Sequence, residues 1–197
     1  MRSVIHRLAR VLATLAVFMV LGGCEPERGP RLRVIDLLKQ FGNAETRPVS
    51  GEFDVEEYVC AGVSHASLAV PSNSRVIWPL RLPERAVLAT HAAIEGPPGS
   101  SALFRVGISD HRIYEPLATR TVTSDDCGRG WMPIDVDLSL YSGWKLSIFY
   151  QPGRREWRLV LGVTMESGAP SRAYWALPGI DTDAGAARRF YRRNTTQ

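Results

Sequence analysis

Reactive side chains are few in this 197-residue chain, and their spacing narrows what they can do. Three cysteines, Cys24, Cys60 and Cys127, and four histidines, His6, His65, His91 and His111, form no C-x-x-C or H-x-x-x-H pattern, so no metal site is expected from them. Asp125 and Asp126 precede Cys127 in a loop, where paired carboxylates either hold calcium or form a turn. Serines, histidines and aspartates are scattered along the chain, and no G-x-S-x-G elbow, P-loop, H-E-x-x-H or calcium-loop motif occurs. Catalysis is therefore not expected, and no cofactor is implied. Recognition is the chemistry that remains. Arg154, Arg155 and Arg158 are candidates for meeting an anionic group. The tryptophans, Trp78, Trp131, Trp144, Trp157 and Trp175, supply flat apolar rings of the kind that stack on sugar C–H groups, although most are expected in the core. Trp144 follows Gly143 at a turn, which favours exposure, while its parity with Leu146 favours the inner face.

The N-terminus sets the compartment. Arg2, Arg7 and Arg10 precede an uncharged run of 11 residues, 11–21, which ends in Gly22, Gly23 and Cys24. This is the layout of a basic region, an apolar region and a small-residue cleavage site, and the run is about half the ~20 residues a membrane-crossing helix needs. The ending Leu21-Gly22-Gly23-Cys24 resembles the bacterial lipobox. The resemblance implies a signal peptide over 1–23, cleavage before Cys24 and acylation of that cysteine, with membrane lipid as partner through its chains. Glu25 at the next position favours the outer membrane over retention at the inner one. Loss of residues 1–23 leaves 21 basic against 20 acidic side chains, so net charge gives no reason to expect nucleic acid as a partner. With Cys24 consumed, Cys60 and Cys127 are an even pair in an oxidising setting, and a disulfide between them is expected.

The elements that must position these residues follow from periodicity. Residues 24–31 carry prolines and charges and read as a tether. Over 32–48 a short helix and linker are expected, because Val34, Ile35, Leu37, Leu38 and Phe41 recur at three- and four-residue spacings. Residues 49–183 show short apolar runs broken by Gly, Pro, Ser and Asn, which predicts an antiparallel β-sandwich with no further long helix. Strands are expected at 66–70, 75–80, 86–94, 102–108, 113–122, 131–138, 146–150, 157–165 and 173–176. Trp157, Leu159, Leu161 and Val163 should share one face. Residues 184–197 read as a basic tail, whose Arg188, Arg189, Arg192 and Arg193 could meet anionic lipid or polymer.

The block W-M-P-I-D-V-D-L-S-L-Y-S-G-W-K-L-S-I-F-Y over 131–150 resembles a recurrent segment of galactose-binding-like jelly-roll domains, and Tyr174, Trp175 and Pro178 resemble their closing aromatic element. The resemblance runs from Arg75 onward and implies an all-β jelly-roll that binds a glycan or envelope polymer; Trp144, by its place after the turn glycine where the resembling domains usually carry a polar residue, and Arg154 and Arg155, by their charge, are the candidate ligand-binding residues. Asp137 should accept backbone N–H groups across the turn that follows it. The entry at 32–41 is similar to that of sulfatase-associated lipoproteins, which implies as an alternative a protein-interaction lipoprotein supporting a separate envelope enzyme. The segment Gly168-Ala169-Pro170-Ser171-Arg172 holds the Pro-Ser-Arg of the sulfatase signature but has glycine where the nucleophile must stand.

Overall fold

Along Trp157–Ser167 every second residue, Leu159, Leu161 and Val163, is buried, as a strand with one face on a core requires. The same logic repeats through the computed structural model, which describes residues 29–110, 112–142, 156–167 and 172–194. Its strands are β1 (Leu32–Asp36), β2 (Glu45–Arg47), β3 (Asp54–Cys60), β4 (Val63–Val70), β5 (Ser74–Leu80), β6 (Val87–Glu95), β7 (Ser101–Ser109), β8 (Tyr114–Thr123), β9 (Met132–Asp137), β10 (Trp157–Ser167) and β11 (Arg172–Thr182). They form two antiparallel sheets. One has the order β3-β4-β11-β6-β9 with β1 also on β11, and the other has the order β2-β5-β10-β7-β8. Between them lies one core, in which Trp78, Phe104 and Trp175 are essentially inaccessible and the Phe104 ring meets Trp175 edge-on at 4.8 Å. The architecture is a jelly-roll β-sandwich. Strands β10 and β11 follow one another in sequence, and each lies in the interior of its own sheet.

Eight of the nine expected strands appear, as β4 to β11, within a few residues of their predicted bounds except that β11 runs on to Thr182, and the one at 146–150 lies outside the described residues. The expected helix at 32–41 is instead β1, a turn and a short 3-10 segment, Phe41–Asn43. Its apolar spacing has another cause. A register shift between Arg33 and Ile35 and a turn after Asp36, whose carboxylate accepts the Leu38 and Lys39 N–H groups at 3.1 and 3.3 Å, bring Ile35 and Leu37 inward without a helix. Strands β2 and β3 were not expected; β3 reads as polar because it carries Asp54, Glu56 and Glu57.

The C-terminal region is likewise ordered where a tail was expected. Helix α1 (Ala184–Asn194) begins at Asp183, whose carboxylate accepts the Ala186 N–H at 2.9 Å. Backbone N–H donors from Ala186 and Gly185, with Arg85 and Arg189 nearby, hold that carboxyl below the usual range. Ala186 and Ala187 are buried, Phe190 packs on the core, and Arg189 donates two hydrogen bonds to Glu84 at 3.1 and 2.8 Å. Sparse apolar residues concealed it: two alanines and one phenylalanine suffice to dock it. Among the described residues no helix is long and apolar enough to cross a membrane.

Candidate functional site

The outward face of the six-stranded sheet departs from what a solvated face should carry. Register places Ala69, Tyr174 and Ala93 side by side on β4, β11 and β6, and Ser67, Ala176 and His91 on the next row. Ser67, Ala69, Ala93 and Ala176 are small and buried, so they form a low floor. Large rings stand around it. Tyr58 stacks on Tyr174 with centroids 3.8 Å apart and meets Trp131 edge-on at 5.8 Å. His65 lies 5.3 Å from Trp131 and 5.6 Å from His91, again between ring centroids. Tyr174 is buried, whereas Tyr58, His65, His91 and Trp131 are half-buried and keep part of their surface in water.

This arrangement depends on the β3–β4 hairpin. Pairing between β4 and β11 ends at Ser67 and Ala176, and from Gly179 onward β1 takes the same edge of β11. Leu177, in the left-handed region at φ 47°, makes the kink, and Arg33 from β1 crosses Gly179 so closely that a Cβ there would meet its Cδ at 2.4 Å. Cys60 at the hairpin end is joined to Cys127 by the expected disulfide, with Cα atoms 4.9 Å apart. The Trp131 indole N–H donates to the Val63 carbonyl at 3.0 Å, a second tie between the hairpin and the segment before β9.

Polar groups edge the rings. Tyr174 donates its hydroxyl to Glu95 at 3.0 Å; burial foremost and this carboxylate next raise its pKa above the ordinary phenol value. Tyr58 is raised too, by burial and then by Glu95. Arg172 donates to Glu56 at 3.1 Å. Burial, then the neighbouring His65, lower the pKa of His91, with a small further push from Arg33 and an opposing pull from Asp135. Its Nδ1 is buried without a hydrogen-bond partner. The face thus offers half-exposed rings beside carboxylates, a guanidinium and imidazoles: a surface for apolar rings bearing hydroxyls.

The residues singled out by sequence fall elsewhere. Cys24, Trp144, Arg154, Arg155 and His111 lie outside the described residues. Arg158 is on the outward face of the other sheet, paired with Glu45. Asp126 accepts the Thr123 N–H at 2.7 Å and its hydroxyl at 2.9 Å, capping the 3-10 segment Ser124–Arg129; the Thr123 N–H foremost lowers its pKa. That is the turn-forming role, and among the described residues no group of three or more His, Cys, Asp or Glu could hold a metal ion. Asp137 accepts the Ser139 N–H at 2.8 Å, as expected. Sequence reasoning missed Tyr58, Trp131 and the two histidines as a group. The signal was present: Tyr58 precedes Cys60 by two residues and Trp131 follows Cys127 by four, so a disulfide between those cysteines draws the two rings together.

No family model and no curated protein matches the chain, whereas solved structures do. Carbohydrate-binding module CBM51-2 in complex with GlcNAc, with INT domains of Clostridium perfringens ZmpB, is 14% identical with a TM-score of 0.50. The match covers 79% of this chain and 32% of that one, so the chain spans about a third of its length. The CBM22-1 xylan-binding domain of Paenibacillus barcinonensis Xyn10C is 14% identical over 70% of this chain and 84% of that one, with a TM-score of 0.43. The C-terminal family 22 carbohydrate-binding module of Clostridium thermocellum Xyn10B is 13% identical over 77% and 94%, with a TM-score of 0.45. At such identity the likeness to the CBM51-2 structure bears on the fold alone.

Proposed function

We propose that this protein is a glycan-binding module that acts by recognition and not catalysis, held at the outside of the cell by a lipid on Cys24. The observation that carries the reading is the set of half-exposed rings, Trp131, His65 and Tyr58, gathered over a floor of small side chains and edged by Glu56, Glu95 and Arg172. Aromatic faces desolvate the C–H side of a pyranose while the charged groups bond its hydroxyls. The Trp131 N–H is committed to Val63, so this residue offers its ring and not a donor. The likeness to a module solved with GlcNAc supports the fold part of this reading, and the lipobox resemblance supports the anchor.

The test is a neutral-glycan array followed by titration of each hit against wild type, Trp131→Ala and His65→Ala. A hit whose affinity drops about tenfold or more in Trp131→Ala, equivalent to ~1.4 kcal/mol, is expected. Absence of any hit, together with a stoichiometric envelope protein in pull-downs, would replace this reading with the protein-interaction one. Intact mass from membranes tests the anchor: a diacyl or triacyl form starting at Cys24 is expected.

A further inference from the structure

The outward face of the five-stranded sheet holds a different arrangement. Register sets Arg47, Arg75, Gly162, Arg105 and Thr119 in one row across β2, β5, β10, β7 and β8. Arg75 and Arg105 therefore start two strand spacings apart, about 10 Å, with Gly162 between them. A Cβ at Gly162 would find nothing nearer than the Ser74 carbonyl at 3.7 Å, so packing within the fold gives no reason for a bare backbone there. The consequence is an open slot between two guanidinium groups.

One row on, Tyr114 lies across Gly107. A Cβ at Gly107 would be 2.4 Å from Cε2, Cζ and the hydroxyl of Tyr114, so the ring rests on the backbone itself, and the residue is 49% exposed. Gly107 follows Arg105 by two residues on β7, about 7 Å. The charges on this face are Arg47, Arg75, Arg105 and Arg158 against Glu45 and Glu166. Glu45 is taken by Arg47 and Arg158, and Glu166 accepts from Thr121 at 3.4 Å. Arg105 is steadied by a hydrogen bond to Thr164 at 3.1 Å, and Arg75 has no ion pair or hydrogen bond among the described residues. A positive surplus is thus centred on the glycine slot.

We propose that this face is a second binding site, for a carboxylate-bearing polysaccharide of the polyuronate class. The apolar side of one sugar ring stacks on Tyr114 while carboxylates enter the slot and take guanidinium N–H groups from Arg75 and Arg105, whose planar forks fit that group. Neutral glycans gain little from two guanidiniums. The site is separate from the aromatic face on the opposite sheet and does not require it.

Polygalacturonate is the probe, in affinity electrophoresis and titration calorimetry at several salt concentrations. Binding that weakens as salt rises is expected, falling tenfold or more in Arg75→Gln/Arg105→Gln and in Tyr114→Ala, retained in Tyr114→Phe and abolished by Gly162→Leu, which fills the slot. Unchanged melting temperatures in the arginine variants exclude a folding effect. Trp131→Ala should leave polygalacturonate binding intact. No binding of polygalacturonate by the wild type, or binding that the arginine and Tyr114 variants do not alter, overturns the proposal. Because neutral glycans report on the other face alone, failure of either site is read independently of the other.

Discussion

The two sheets present opposite solutions to the same requirement. The six-stranded sheet covers its outward face with its own hairpin, a disulfide and a ring cluster, whereas the five-stranded sheet leaves backbone bare at Gly162 and surrounds it with arginines. The first face is a product of tertiary closure over 67 residues of sequence separation, and the second follows from strand register alone. Recognition by the first should therefore fail when closure fails, and recognition by the second should follow charge and salt.

The sharpest way to separate them is Cys60→Ala/Cys127→Ala. Stability should fall by about 4 kcal/mol, the chain-entropy value for a loop of this size, measured by urea unfolding. At temperatures below the new midpoint neutral-glycan binding should be lost and polygalacturonate binding kept; loss of both would break the distinction. Trp131→Ala comes next, costing about 1–2 kcal/mol of stability because a half-buried ring and its hydrogen bond to Val63 disappear. Trp131→Phe should recover ring contacts but not that bond.

A third test concerns the loop that carries Cys127. Asp126→Ala removes the cap on Thr123 and should cost about 1 kcal/mol. Since the folded-state pKa of Asp126 lies below its unfolded value, its contribution is present above about pH 4 and is lost as acid carries pH down through the folded value. Urea midpoints of wild type and variant should therefore converge at low pH. The smallest effect belongs to His91. Its folded-state pKa is lowered, so the unfolded chain takes up a proton first as pH falls below about 6.5, and stability declines until the folded value is reached. His91→Gln should flatten this decline, and polygalacturonate binding between pH 7 and 5 should not follow it.

Legibility in the sequence tracks which forces fix each residue. Strands β4 to β10 were readable because alternation is local: Leu159, Leu161 and Val163 announce their face without knowledge of any partner. Strand β1 was misread because a register shift and the Asp36 turn give Ile35 and Leu37 a spacing that imitates a helix. Trp131 was visible only as one tryptophan among five; its role arises from a hairpin that bends over the sheet, and that bend depends on Leu177, Gly179 and Arg33, none of which has a local signature. The arginine row was equally hidden, since Arg47, Arg75 and Arg105 become neighbours only through register.

Strands β10 and β11, successive in sequence, occupy the interior of both sheets. Before they arrive, β5 and β7 lack the strand that joins them, and so do β4 and β6. A chain emerging from its N-terminus therefore keeps both layers split until residues 157–182 are available, and then completes both at once. Such dependence on distant pairing predicts slow, highly cooperative folding with no stable N-terminal fragment. On the proposal that the chain is anchored outside the cell, such late closure suits passage across a membrane before folding.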